Sequence, residues 1–154
     1  MKGLAGLVVS AAIAFAVSSC GGSSPNTSAS SNTPSPTSRL AALAAWFASV
    51  STDYSAVTND FGAVGAVGGT DLTGIISACQ QLDTDVQKLQ SDVPIPDAAT
   101  NAIYQDALTN SAEFATQCVA AATDVSASEL VTAEQYQTKA LSDFNQINGI
   151  LKTG

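Results

Sequence analysis

Cys20, Cys79 and Cys118 are the only thiols of the 154 residues, and thirteen Asp and Glu side chains supply all the carboxylates. There is no histidine. That removes His-based metal sites, Ser-His and Cys-His nucleophile pairs and histidine pH switching. Serines and threonines are plentiful, but no G-x-S-x-G pattern presents one as a nucleophile. Asp83-Thr84-Asp85 comes closest to a metal motif. On a helix, carboxylates two residues apart point about 200° away from each other, so they read as a solvated face. Asp53 and Asp60 share a face seven residues apart, and Asp92 and Asp97 flank a proline turn. Neither pair makes the oxygen cage that calcium requires. Gly62 to Gly69 has G-x-x-G spacing without the Lys-Ser/Thr of a phosphate loop, so it reads as a turn. The expectation is a protein with no catalytic residues, no metal and no cofactor. A hydrolase using carboxylates alone is the least supported alternative.

Cys20 stands apart from the other two thiols. Lys2 is followed by an apolar run from Gly3 to Val17, with Ser10 its one polar residue. The run is too short for a comfortable membrane span and suits the core of a signal peptide. Val17-Ser18-Ser19-Cys20 resembles the lipobox of bacterial lipoproteins: an aliphatic residue three before the cysteine, and small residues between. The resemblance implies that the Cys20 thiol takes a diacylglyceryl group and that residues 1–19 are removed. Two acyl chains suffice for stable anchoring. As a whole the chain resembles the small envelope lipoproteins of actinobacteria, in its lipobox, its Ser/Thr/Pro stretch and its Ala-rich helical part with one cysteine pair. That implies a location at the outer face of the cytoplasmic membrane and assigns no activity.

Residues 20–38 form the second segment. Gly21 to Ser38 holds only Gly, Ser, Pro, Asn, Thr and Ala, too little apolar surface to offset the entropy of ordering. It reads as a disordered tether spanning about 25 Å. Asn26-Thr27-Ser28 fits a glycosylation pattern by chance. From Cys20 on, Arg39, Lys88, Lys139 and Lys152 face thirteen carboxylates, a formal charge of −9. That excludes nucleic acid as a partner and disfavours adhesion to anionic lipid.

Residues 39–154 must position everything else. Leu40, Leu43, Phe47, Val50, Tyr54, Val57, Phe61 and Val64 alternate at three and four, the spacing of one helical face. Thr37 or Ser38 is the expected cap, and the glycines from Gly62 the expected end. Thr70 or Asp71 opens a second stripe, Leu72, Ile75, Cys79, Leu82, Val86, Leu89 and Val93, which Pro94-Ile95-Pro96 stops. Asp97 caps a third, Ala-rich helix through Ile103, Ala107, Phe114, Cys118 and Ala122. Ser126 to Glu129 has capping-box form before a fourth stripe, Leu130, Ala133, Gln137, Ala140, Phe144, Ile147 and Leu151. Gln137 weakens that stripe, so the helix start could lie nearer Thr132. The fold read from this pattern is all-α: an up-down four-helix bundle with one core.

Cys79 and Cys118 lie on adjacent stripes, and in an exported domain such a pair is most simply a disulfide. Free buried thiols and a thiol metal site are the alternatives, and a metal site lacks further ligands. A tight antiparallel hairpin would leave the two about 10 Å out of step along the axis. The bond therefore requires a slanted Pro94–Pro96 link or a late start to the third helix. Trp46, with Tyr54, Phe114 and Phe144, could line an apolar pocket between helices, although such aromatics are more often plain core. Tyr104 and Tyr136 belong to the same reading. Two functions follow as expectations. The first is a membrane-tethered, non-catalytic interaction module that engages another envelope protein. The second is a carrier or sensor of an apolar ligand.

Overall fold

A computed structural model of the chain describes residues 35–153. The residues read as a signal peptide, Cys20 and the expected tether as far as residue 34 lie outside the described residues. The described chain is an all-α four-helix bundle: α1 (Pro36–Ala66), α2 (Leu72–Gln90), α3 (Ala98–Asp124) and α4 (Ala127–Thr153). Each helix packs against the next in sequence, and α4 closes the ring on α1. Short links make neighbours antiparallel, so the order is up, down, up, down.

Each helix begins where a side chain replaces a missing backbone partner. Asp71 accepts from Gly74 N at 2.9 Å and Asp97 from Thr100 N at 3.0 Å, as the sequence suggests. Gly74 is needed beside the first cap, because a Cβ there would run into the Asp71 carboxylate. α1 starts earlier than expected. Ser35 is its N-cap and Pro36 its first residue, so the last three residues assigned to the tether, Pro36 to Ser38, are helical. Proline at that position loses no hydrogen bond and has the right φ. α4 starts at Ala127 rather than near Thr132, with Ser126 Oγ accepting from Glu129 N at 3.4 Å.

α2 has 19 residues against 27 in α3 and 31 in α1, a shortfall of about 12 Å relative to α3 at the helical rise. The link after Gln90 covers the exposed flank. Trp46 Nε1 donates to Val93 O at 2.8 Å, Asn101 Oδ1 accepts from Ile95 N at 3.0 Å, and Ile95 is buried. This fixes the register. Lys88 pairs with Asp53, while Arg39 pairs with Asp97 at 2.8 Å near the start of α1. The first turns of α3 thus lie beyond the end of α2. The slanted link removes the mismatch between Cys79 and Cys118.

The buried face of α1 is Leu43, Trp46, Val50, Tyr54, Val57 and Phe61. Trp46 takes the seam and Phe47 is half-buried, the reverse of the order expected from spacing. Adjacent residues sit 100° apart on a helix, so either could serve. At the bundle ends the stripes run out of partners: Leu72, Val93 and Leu130 are exposed.

Candidate functional site

The disulfide forms. Cys79 and Cys118 are both buried, with Cα atoms 6.2 Å apart, inside the range a disulfide requires. It ties α2 to α3 one or two turns below the pole where α1 ends and α4 begins.

The aromatic residues fill the interior. Trp46 meets Tyr104 edge-on at 5.2 Å, Tyr54 meets Phe144 at 5.3 Å, and Phe61 stacks on Phe114 at 5.4 Å. Phe47 and Phe61 join these pairs into one run of touching rings. Trp46, Tyr54, Phe114 and Phe144 are each at most 5 % exposed. Their own rings occupy the space that a ligand between the helices would need. Their polar ends are satisfied by backbone: Tyr54 Oη donates to Phe144 O at 3.3 Å and Tyr104 Oη to Leu89 O at 3.2 Å. Burial raises the Tyr54 hydroxyl to about 12, and raises that of Tyr104 as well. Tyr136 stands at the edge of the core, with the Lys139 ammonium 5.2 Å from its ring.

The carboxylates are spread over structural tasks. Asp83 accepts from Gln87 Nε2 at 2.7 Å and Asp85 from Gln81 Nε2 at 2.8 Å, each along its own helix. Asp53 holds Lys88. Asp97 is lowered first by its Thr100 hydrogen bonds and then by Arg39. Among the described residues, no three Cys, Asp or Glu side chains converge on one point. Asp60, Asp92 and Glu129 each have one buried carboxylate oxygen with no hydrogen-bond partner. For Asp60, burial followed by the facing Asp85 carboxylate pushes the group up to about 6 from 3.8.

A carboxyl whose folded pKa is raised holds its proton more tightly when folded. The stability it lends is complete below about pH 4 and is lost as pH rises toward 6. Asp97, shifted the other way, acts only below that window. Urea unfolding of the chain should therefore show stability falling from pH 4 to 6, and Asp60→Asn should flatten the slope and be the more stable form at pH 7. Parallel profiles for the two chains would contradict this account of Asp60.

One surface feature stands out. A groove of about 360 Å³ opens at the pole formed by the α1–α2 link and the α3–α4 turn. Leu72 and Ile75 form one wall, Cys118, Ala121 and Ala122 the floor, and Val125 and Leu130 the far rim. Val125 is 73 % exposed and has φ 51°, the left-handed conformation that glycine usually supplies after a helix. For a β-branched residue this conformation costs on the order of 1–3 kcal/mol. Ser126 N donates to Ala121 O at 3.0 Å and completes the turn. Smaller depressions at the opposite pole lie between α1 and α4, around Leu40, Leu43 and Ile150.

Sequence reasoning placed Cys79 and Cys118 together correctly and missed the groove, because Leu72 and Leu130 fit core stripes. The signal available was position: both sit in the first turn of a helix, where the stripe has no opposing residue. Cys20 lies outside the described residues. Among the described residues no helix is long and apolar enough to cross a membrane. Comparison with protein-family models, curated proteins and solved structures gives no match.

Proposed function

We propose that the chain is a lipid-anchored protein of the outer face of the cytoplasmic membrane, and that its helical head is a non-catalytic interaction module for another envelope protein. The observation that carries the second half is the open apolar groove at one pole of an otherwise filled bundle. Contiguous apolar surface exposed on a small domain marks a place where a protein, a membrane or a ligand makes contact. The first half rests on Val17 to Cys20 and the Ser/Thr/Pro stretch that follows. Asp71 and Asp97 cap helices, and Asp53 and Asp97 pair with cations across them, which are structural tasks.

The test sets this function against carriage of an apolar ligand. The full chain, purified from membranes in mild detergent, is exposed to an envelope lipid extract and followed by native mass spectrometry and by the fluorescence of Trp46, its one tryptophan. The expected result is a head without stoichiometric lipid and with unshifted emission, because Trp46 is held between Tyr104 and Val93 O. One bound lipid per chain with a shifted Trp46 would replace the interaction module with a carrier.

A further inference from the structure

The groove at the α1–α2 and α3–α4 pole has a charge signature that narrows its occupant. Asp71, Asp124 and Glu129 immediately precede its Leu72, Val125 and Leu130 in the chain, and Glu134 lies one turn further along α4 from Leu130. No cation answers them. Lys139 is the nearest of the described basic residues, about 14 Å from Leu130 and about 8 Å from Glu134 down α4 by the helical rise, with its ammonium over the Tyr136 ring, and Arg39 and Lys152 sit at the opposite pole. An apolar trough whose neighbouring charges in the chain are all acidic is complementary to an apolar stretch carrying positive charge at its edges.

The other occupants fit less well. A second copy would bring the same four carboxylates face to face, which costs rather than contributes binding energy. Anionic lipid head groups meet the same repulsion.

We propose that this groove, lined by Leu72, Ile75, Ala121, Val125 and Leu130, docks an apolar segment of a partner protein flanked by Lys or Arg side chains. The proposal rests on the interaction-module reading and names the chemistry of its partner. Leu130 and Leu72 supply the apolar walls. Val125 keeps an exposed isopropyl group at the rim in a backbone conformation where glycine would be easier. The anionic rim draws the basic flanks in and holds the segment in register. The Cys79–Cys118 bond fixes the spacing of the α2 wall from the α3 floor.

The test uses a photoreactive synthetic peptide made only of leucine and lysine in amphipathic spacing, with a leucine–glutamate counterpart as control. Each is crosslinked to the full chain in non-ionic detergent, and the sites are mapped by mass spectrometry. The leucine–lysine peptide should label residues 72–75 and 118–130, and labelling should fall as salt rises. Leu130→Gln should weaken it on the order of tenfold, the loss of one buried leucine side chain. Val125→Gly should also weaken it while leaving the thermal midpoint unchanged or higher, so a folding defect cannot explain that loss. Labelling spread over the bundle, equal labelling by the glutamate peptide, chain-to-chain crosslinks through Val125, or full labelling of Val125→Gly would each overturn the proposal. These results depend on the groove alone. A chain that takes up lipid around Trp46 yet labels as described would sink the module reading and leave the groove chemistry standing.

Discussion

Breaking the Cys79–Cys118 bond should lower the unfolding free energy of the chain by about 4 kcal/mol, the chain-entropy value for a bridge of this separation. The thermal midpoint should fall by about 15 °C for a domain of this size. The bond closes a loop containing all of the α2–α3 link, the irregular stretch that fills the space left by the short α2. Replacing both residues by alanine should cost at least as much as treating the wild type with reductant, because deleting two buried sulfurs adds a cavity to the loss of the bridge. Intact mass after alkylation without reductant should show neither thiol modified. Alkylation of both thiols in the native chain, or a midpoint indifferent to reductant, would contradict the bridge. A second consequence reaches the groove. Cys118 lies in its floor, so reduction should weaken labelling there before the bundle unfolds.

Cys20→Ser should have the largest effect on location. If the thiol receives a diacylglyceryl group, two acyl chains anchor the mature chain stably to the membrane. Serine offers no thiol for that transfer, and cleavage before residue 20 depends on it in the lipoproteins this leader resembles. The variant should retain residues 1–19 and lose its acyl chains while the bundle folds as before, since no described helix includes that position. Unfolding midpoints equal to wild type, together with the loss of lipid, would separate anchoring from stability. A variant cleaved and lipidated like the wild type would refute the assignment of Cys20.

Much of the bundle was legible because its determinants are local. Asp71 and Asp97 cap their helices through a side chain reaching its own next turn, and nothing distant can override that. Pro94 and Pro96 break the chain by covalent geometry. The rest depended on partners elsewhere in the chain. Ser35 and Pro36 have the composition of a tether, and only the cap and the proline at the first helical position draw them into α1. Ile95 looked like part of a stop signal. It is buried because α2 is too short to cover Trp46, a length mismatch that no single stripe reveals. Trp46 and Phe47 could each have led the α1 seam, and the bond from Trp46 Nε1 to Val93 O decides between them. Leu72 and Leu130 obey the spacing of core residues and end at a rim, because periodicity says which face a residue is on and not whether anything stands opposite. The Asp60–Asp85 encounter joins two helices through residues read separately, Asp85 as part of a solvated face and Asp60 only as a neighbour of Asp53 on its own helix. The groove is assembled from the ends of three helices and two links, so no window of sequence contains it.

The central claim is a folded head held to the membrane by lipid on Cys20. It is tested most directly by the intact mass of the chain purified from the membranes of a bacterium expressing it in full, together with its partition in a cloud-point detergent. The account predicts a chain that begins at Cys20, carries the added mass of a diacylglyceryl group and enters the detergent phase. A water-soluble chain with an unmodified Cys20 thiol would contradict it.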